Sequence, residues 1–348
     1  MKLLPEKILI VGLFLSRKNE GKIMRTAADQ LAELLVNNGF SIITVSNIVN
    51  QATRLLDTIF TVLLRSFSYR IAIVPLYGSF KSFIWESITT RILKVLRKKI
   101  VIIVHGGSIP DKMKRNPRKY MRTLKMADMV VCPSSFFVTT LQEYGIKSVL
   151  IENVVGLKNY DFQDKPSFRP SIFWMRTLED IYNPEMAIRV GAILAKKYPD
   201  FKMVMAGYDR GSLSMVKALA TDLNVLDKIE FPGYITNEQK NKYAVDFDIY
   251  ICTNRIDNAP VSFIEMMAMG LPIVSVNIGG IPHLIRNNEN GLLVDLDDDE
   301  SMANCIISIV EQPLLGKRLV ENGLQFSKEF DEQPVLQKWK RVFNVLSS

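Results

Sequence analysis

At 348 residues the chain exceeds one ordinary domain and suits two of about 150 residues each. With 48% hydrophobic and 23% charged residues it reads as soluble and globular, and no apolar run approaches the roughly 18 residues of a membrane span. Three scattered cysteines (Cys132, Cys252, Cys305) suggest reduced thiols in a cytoplasmic setting, and only two histidines (His105, His283) argue against a protein-built metal site.

The elements follow in chain order. ILIVGLFL has the length of a signal-peptide core, but Gly12 interrupts it and a polar loop follows, so it reads as a buried first strand. A helix is expected from about Gly21 to Asn38, with Ala27, Ala28, Leu31, Leu34 and Leu35 at helical spacing and Gly39 ending it. SIITVSN, RIAIVPLY, KIVIIVHGG, MVVCPS and KSVLIEN read as further strands with helices between most of them. Near-continuous apolar strands alternating with helices predict a parallel sheet covered on both faces.

The pattern lapses at Gly156 to Pro170, where two prolines and mixed charges suggest the interdomain connection. It resumes with SIFWMRTL, FKMVMAGY, IEFPGY, DIYICT, IVSVNIGG and GLLVDL. The expected architecture is two doubly wound α/β halves, 1–165 and 166–330, with the last helix (331–348) returning towards the first. In such sheets ligands bind beyond the carboxyl ends of the strands, where Gly12, Gly78, His105 to Gly107, Arg176, Gly207, Gly233, Asp257 and Gly279-Gly280 fall.

Charge is concentrated as well. From Arg91 to Lys125 there are twelve Lys or Arg against Asp111 alone, in a chain whose net charge is +8. Such a patch attracts polyanions, anionic lipid headgroups among them, and Phe83, Ile84 and Trp85 just before it suggest an apolar anchor on the inner face of a membrane. Nucleic acid is not expected, because aromatic and basic residues do not interleave.

The most informative stretch is DNAPVSFIEMMAMGLPIVSVNIGGIPHLI, from Asp257 to Ile285. Pro260 would open a helix that Gly270 closes, with Glu265 in its first turns. Ser262-x-x-Glu265 matches a capping box, which would spend Glu265 on its own backbone. The alternative is that Glu265 accepts hydrogen bonds from a vicinal diol such as a ribose, while the helix start attracts a diphosphate and Asp257 holds a sugar. The acids Asp297 to Glu300 read as the cap and dipole partner of a helix rather than as metal ligands.

The acid-x7-Glu spacing, AMGLPIV and IGGIP together resemble the C-terminal signature of the GT-B retaining glycosyltransferases, family 4 in particular. SIFWMRTL, VMAGYDRG, IEFPGYITNEQKNKYAVDFDIYICT and NGLLVDLDDDESM extend the resemblance over about Ser171 to Glu311; it is looser before Lys165. It implies two Rossmann-like domains facing a cleft, and a metal-independent transfer of a hexose from a nucleoside diphosphate to an acceptor hydroxyl. By position it makes Glu265 the ribose ligand. Asp257 and Asn258, Ala259, Pro260, Val261 and Ser262 contact the donor sugar and phosphates. Arg176 neutralises the departing diphosphate, Gly233 and Tyr234 lie by the nucleobase, and Gly207 is a further donor-binding residue.

His105 would face the transferred sugar, and Gly21 stands for the family's glycine pair in the N-terminal loop. UDP is expected over GDP, no cofactor or metal, and a lipid-linked saccharide as acceptor in surface polysaccharide or glycolipid synthesis. Two departures stand out: Asp257 replaces the usual glutamate, and the lysine about five residues after the arginine is missing, with Arg210 and Lys22 as substitutes. That second departure motivates a rival, a non-catalytic nucleotide-sugar sensor or partner subunit.

Overall fold

A computed structural model describes residues 7–14, 26–106 and 109–347, apart from the side chains of Phe80 and Lys81. Gly21, Lys22 and Gly107, singled out above, lie outside the described residues. The chain forms two units, Met1–Val154 with Glu332–Ser348, and Val155–Asp331.

The first unit is built on six parallel strands: β1 (Ile8–Val11), β2 (Ile42–Val45), β3 (Ile71–Leu76), β4 (Lys99–Val104), β5 (Met129–Cys132) and β6 (Val149–Leu150). Their order is β2-β1-β3-β4-β5-β6. The helices are α1 (Ala27–Asn37), α2 (Gln51–Leu64), α3 (Phe80–Val95), α4 (Ile109–Arg115), α5 (Pro117–Leu124) and α6 (Ser135–Glu143). Alternate residues of each central strand point to opposite faces and fill two cores. Ile8, Ile10, Ile71 and Ile73 meet α1 and the returning C-terminal helix, whose Trp339 and Phe343 are buried there. Leu9, Ala72, Val74, Ile100 and Ile102 meet α2, α3, α5 and α6.

The second unit has β7 (Ser171–Met175), α7 (Pro184–Lys197), β8 (Lys202–Ala206), α8 (Leu213–Asp222), β9 (Ile229–Gly233), α9 (Asn237–Asp246), β10 (Ile249–Cys252), α10 (Val261–Ala268), β11 (Ile273–Val276), β12 (Leu292–Val294), α11 (Asp299–Glu311) and α12 (Pro313–Ser327). Its parallel strands run β12-β11-β10-β7-β8-β9. The chain winds outward from β7 through β8 to β9, then crosses back to place β10 on the other side of β7. Strand order therefore reverses between β7 and β10, the position at which open α/β sheets generally bind ligands. The last helix, α13 (Glu332–Ser347), belongs to the first unit, where Lys338 grips Glu152 at 2.7 Å.

The segment Gly156 to Pro170 does not behave as a free connection. It packs on the second unit: Phe168 is buried beside Gly316, and Lys165 and Arg169 converge on Asp248 at 2.7 and 2.9 Å. These two cations, with the Arg169 backbone N–H as a further donor to the buried carboxylate, hold this loop down despite its lack of periodicity.

Candidate functional site

Arg176 is the first residue after β7, and Asn254 to Pro260 is the loop between β10 and α10. The strand-order reversal thus brings Arg176 and Asp257 together. Arg176 Nη2 donates to Asp257 Oδ2 at 2.8 Å, with both side chains 19% exposed. Burial works against the guanidinium charge, but Asp257 with Tyr250, Cys252 and Tyr182 outweighs it and holds Arg176 above its ordinary pKa. Asn254 Nδ2 donates to the same carboxylate oxygen, and the backbone N–H of Asn258 to the other, each at 2.8 Å. Tyr182 places its ring 5.8 Å from the guanidinium carbon.

Two glycines shape this loop from behind. Gly280 N–H donates to the Asp257 carbonyl at 2.9 Å, and a Cβ on Gly279 or Gly280 would collide with the Asp257 or Asn258 carbonyl. Gly279 also has φ +56°, which side-chain-bearing residues rarely adopt. The IGGIP motif therefore buttresses the Asp257 loop. Gly207 does the same for Arg176: any Cβ there would strike the Arg176 carbonyl, and Gly207 N–H instead donates to Gly233 O at 2.8 Å.

Around Asp257, three buried polar atoms have no hydrogen-bond partner among the described residues: Arg176 Nε, Asn254 Oδ1 and Asn258 Nδ2. Native interiors leave few such atoms, so three around one carboxylate are donors and acceptors open to a further partner. Next to it begins α10. Pro260 precedes the helix rather than opening it, one residue earlier than its sequence role, and no side chain caps the first turn. The start of α10, with Val261 and Ser262, is thus free of a competing carboxylate and suited to an anion.

The capping-box reading of Ser262 and Glu265 is overturned. Ser262 Oγ instead pairs with Tyr250 OH at 3.1 Å, and that hydroxyl also donates to Met175 O, locking α10 to β7. Glu265 turns away from its own backbone. Its carboxylate receives Lys240 Nζ at 2.9 and 2.8 Å and Tyr160 OH at 2.7 Å, at 8% residue exposure. Burial, and then the Glu265 charge, push the Tyr160 phenol far above its ordinary range, so it remains a donor. Neither partner was among the sequence candidates. The Thr236 and Gln239 capping box of α9 does place Lys240 near a helix start, but nothing local ties it to a residue 25 positions on.

Tyr234, after β9, stacks on Tyr208, after β8, with centroids 4.8 Å apart and planes at 13°. Both rings are substantially exposed, and burial together with Tyr208 and Glu265 raises the Tyr234 phenol pKa. The platform therefore lies within electrostatic reach of Glu265. Arg210, a candidate substitute for the missing lysine, is 68% exposed and lies 3.9 Å from Glu179. Asp298 caps α11 through Ser301 N–H at 2.9 Å, while Asp297 meets Arg255 at 3.1 Å and Asp299 meets Arg189, so these acids serve the fold.

His105 lies in the first unit, at the end of β4. It stacks on Tyr77 with centroids 5.7 Å apart, and burial lowers its pKa to about 4, so the imidazole is neutral at pH 7. It lines a small, mainly apolar recess with Leu31, Ile103, Trp339 and the polar Gln30, Glu152 and Asn153.

Residues 159–326, nearly all of the second unit, match the model of the family described as glycosyl transferases group 1. The match lies wholly within this unit. An uncharacterized glycosyltransferase of Haemophilus influenzae is 28% identical over 156 residues, 44% of this chain and 43% of that protein. The amylovoran biosynthesis glycosyltransferase AmsK of Erwinia amylovora is 25% identical over 233 residues, 63% of this chain and 57% of that one. The chain thus spans about half the length of these relatives. Among solved structures, sucrose-phosphate synthase from Thermosynechococcus elongatus superposes with a TM-score of 0.78 at 16% identity, covering 98% of this chain and 99% of that one. Anabaena HepE, solved with UDP and glucose, gives 0.72 at 15% identity, covering 98% and 100%. At such identities the likeness concerns the fold, which is GT-B: two parallel six-stranded sheets with interleaved helices.

Proposed function

We propose that the chain is a retaining glycosyltransferase that moves a hexose from a nucleoside diphosphate, UDP before GDP, to an acceptor hydroxyl without a metal ion. The observation that carries this reading is the cluster of unsatisfied buried atoms around Asp257, next to the uncapped start of α10. A nucleotide sugar offers the complementary groups. Diphosphate oxygens suit Arg176 Nε and the N–H groups of the α10 start, and sugar hydroxyls suit Asp257, Asn254 Oδ1 and Asn258 Nδ2. The Tyr208–Tyr234 platform offers a face to the base, and Glu265 a carboxylate to the ribose. The UDP and glucose in the HepE structure and the polysaccharide role in the name of AmsK favour such a donor and a saccharide acceptor, which we take to be lipid-linked.

The chemistry then follows from charge. Cleavage of the anomeric C–O bond leaves positive charge on the sugar ring and negative charge on the diphosphate. Arg176 and the helix start stabilise the leaving group, which takes the acceptor's proton on the same face, so no enzymic nucleophile is needed.

A thermal-shift panel of nucleotides and nucleotide sugars tests the binding, and donor hydrolysis tests the chemistry. Stabilisation by UDP-sugars, with slow hydrolysis that Arg176→Ala abolishes, is expected. Absence of any nucleotide shift ends the proposal. Binding with neither hydrolysis nor transfer would favour the sensor reading, whose motive is the lysine missing after Arg176.

A further inference from the structure

Helix α2 packs Val62 and Leu55 on the core but buries polar groups beside them. Its buried residues are Arg54, Thr58 and Val62, two of them polar. Thr58 accepts Trp85 Nε1 at 2.9 Å and donates to the Arg54 carbonyl at 2.8 Å, and the Arg54 guanidinium lies over the Trp85 ring at 4.9 Å. The outer side carries Leu56, Phe60, Leu63 and Leu64, continued by Phe67 in the turn beyond, all on one helical stripe. Phe60 is 66% exposed and Phe67 fully so. A helix that only closed a core would present the opposite face.

Cations surround this stripe. Lys98 Nζ donates to the Ser66 and Tyr69 carbonyls, pinning the end of α3 to the end of α2. Beside it Arg65, Arg70, Lys94 and Arg97 are exposed, as is Val95. Helices α2, α3 and α5 cover the same face of the first sheet. Between α3 and α5 lies a cavity of about 490 Å³, floored by Phe83 and Ile88 and rimmed by Arg91, Arg118, Lys119 and Arg122, with no acid in its lining. Asp57 is the one acid of α2.

We propose that this helical layer docks on an anionic phospholipid surface. The α2 stripe enters the boundary between headgroups and acyl chains, while the cations at the helix ends and along the α3–α5 groove hold the headgroups. The apolar stripe is one helix wide with like charges crowding its end, an arrangement that suits a flat anionic plane better than a second copy of the same cationic face. The anchor expected from the sequence is corrected in part: Phe83 and Trp85 are buried, and Ile84 alone of the three is exposed. The inference concerns the first unit and stands apart from the donor reading.

The test is co-sedimentation of the full chain with vesicles of phosphatidylcholine, with and without phosphatidylglycerol, at low and high salt. The unaltered protein should pellet with the anionic vesicles at low salt. The Phe60→Ser/Phe67→Ser variant should bind about tenfold more weakly at either salt, and Arg118→Ser/Arg122→Ser should lose most of the salt-sensitive part. Phe60, Phe67, Arg118 and Arg122 are all exposed, so circular dichroism should stay unchanged. An unaltered protein that stays in the supernatant overturns the proposal, as does a phenylalanine variant that pellets equally well. So does a dimer in the absence of vesicles that the phenylalanine variant abolishes, because a second copy would then cover the stripe.

Discussion

Asp257 and Glu265 stand eight residues apart in sequence, yet their surroundings are opposite. Glu265 is saturated: an ammonium reaches both of its oxygens and a phenol one of them. Asp257 holds an ion pair and two short bonds, but the groups that serve it keep unused valences, and Arg176, Asn254 and Asn258 each leave a buried atom unmatched. A satisfied buried carboxylate stabilises the fold and must be won over by an incoming hydroxyl. An under-satisfied cluster costs stability until something binds it. On our functional reading, the phosphate and sugar end of the donor would meet vacant donors and acceptors, whereas the ribose would join or displace Lys240.

The sharpest way to break this contrast is Arg176→Ala. If Arg176 carries leaving-group charge, donor turnover should fall about 10²- to 10³-fold, roughly 3–4 kcal/mol. An unchanged kcat would remove Arg176 from the chemistry. Next in size is Lys240→Met, which strands Glu265 with Tyr160 alone. Urea unfolding should show a loss of about 2–4 kcal/mol, largely recovered when Glu265→Gln is added; equal losses in both variants would mean that the ion pair does not carry the effect. Asn258→Ala should behave the other way round. Nucleotide-sugar affinity by calorimetry should drop about tenfold, while unfolding free energy hardly moves, because no hydrogen bond of the Asn258 side-chain nitrogen is lost. Smallest is Tyr160→Phe, at about 1 kcal/mol of stability, one neutral donor removed from a carboxylate that keeps its lysine.

Much of this arrangement was legible in the chain. Apolar strand runs at regular intervals marked both sheets, and the position of Arg176 at the end of one run and of Asp257 after another placed them on one edge. The Asp257 to Glu265 spacing pointed to the loop and helix that carry them. What could not be read were partners distant in sequence: Tyr160 is 105 residues from Glu265, in a stretch whose prolines suggested a tether. The Ser262-x-x-Glu265 pattern was locally sufficient for a cap, and only tertiary competition from Tyr250, Lys240 and Tyr160 decides against it. Helix α2 was opaque for a different reason. Periodicity reports that an apolar stripe exists, and Arg54 and Thr58, not the leucines, turned out to face Trp85.

The second unit begins at Val155 and ends at Asp331, and its two ends are tied together. Val155 N–H donates to Phe330 O at 2.8 Å, and Leu157 N–H to Asp331 Oδ1 at 3.2 Å. This half is therefore spliced into its host as a closed cassette, threaded between β6 and α13, with its entry and exit clasped at one point. A cassette of that kind can be excised as a fragment of continuous chain without cutting any of its own strands, and its severed ends would already be neighbours.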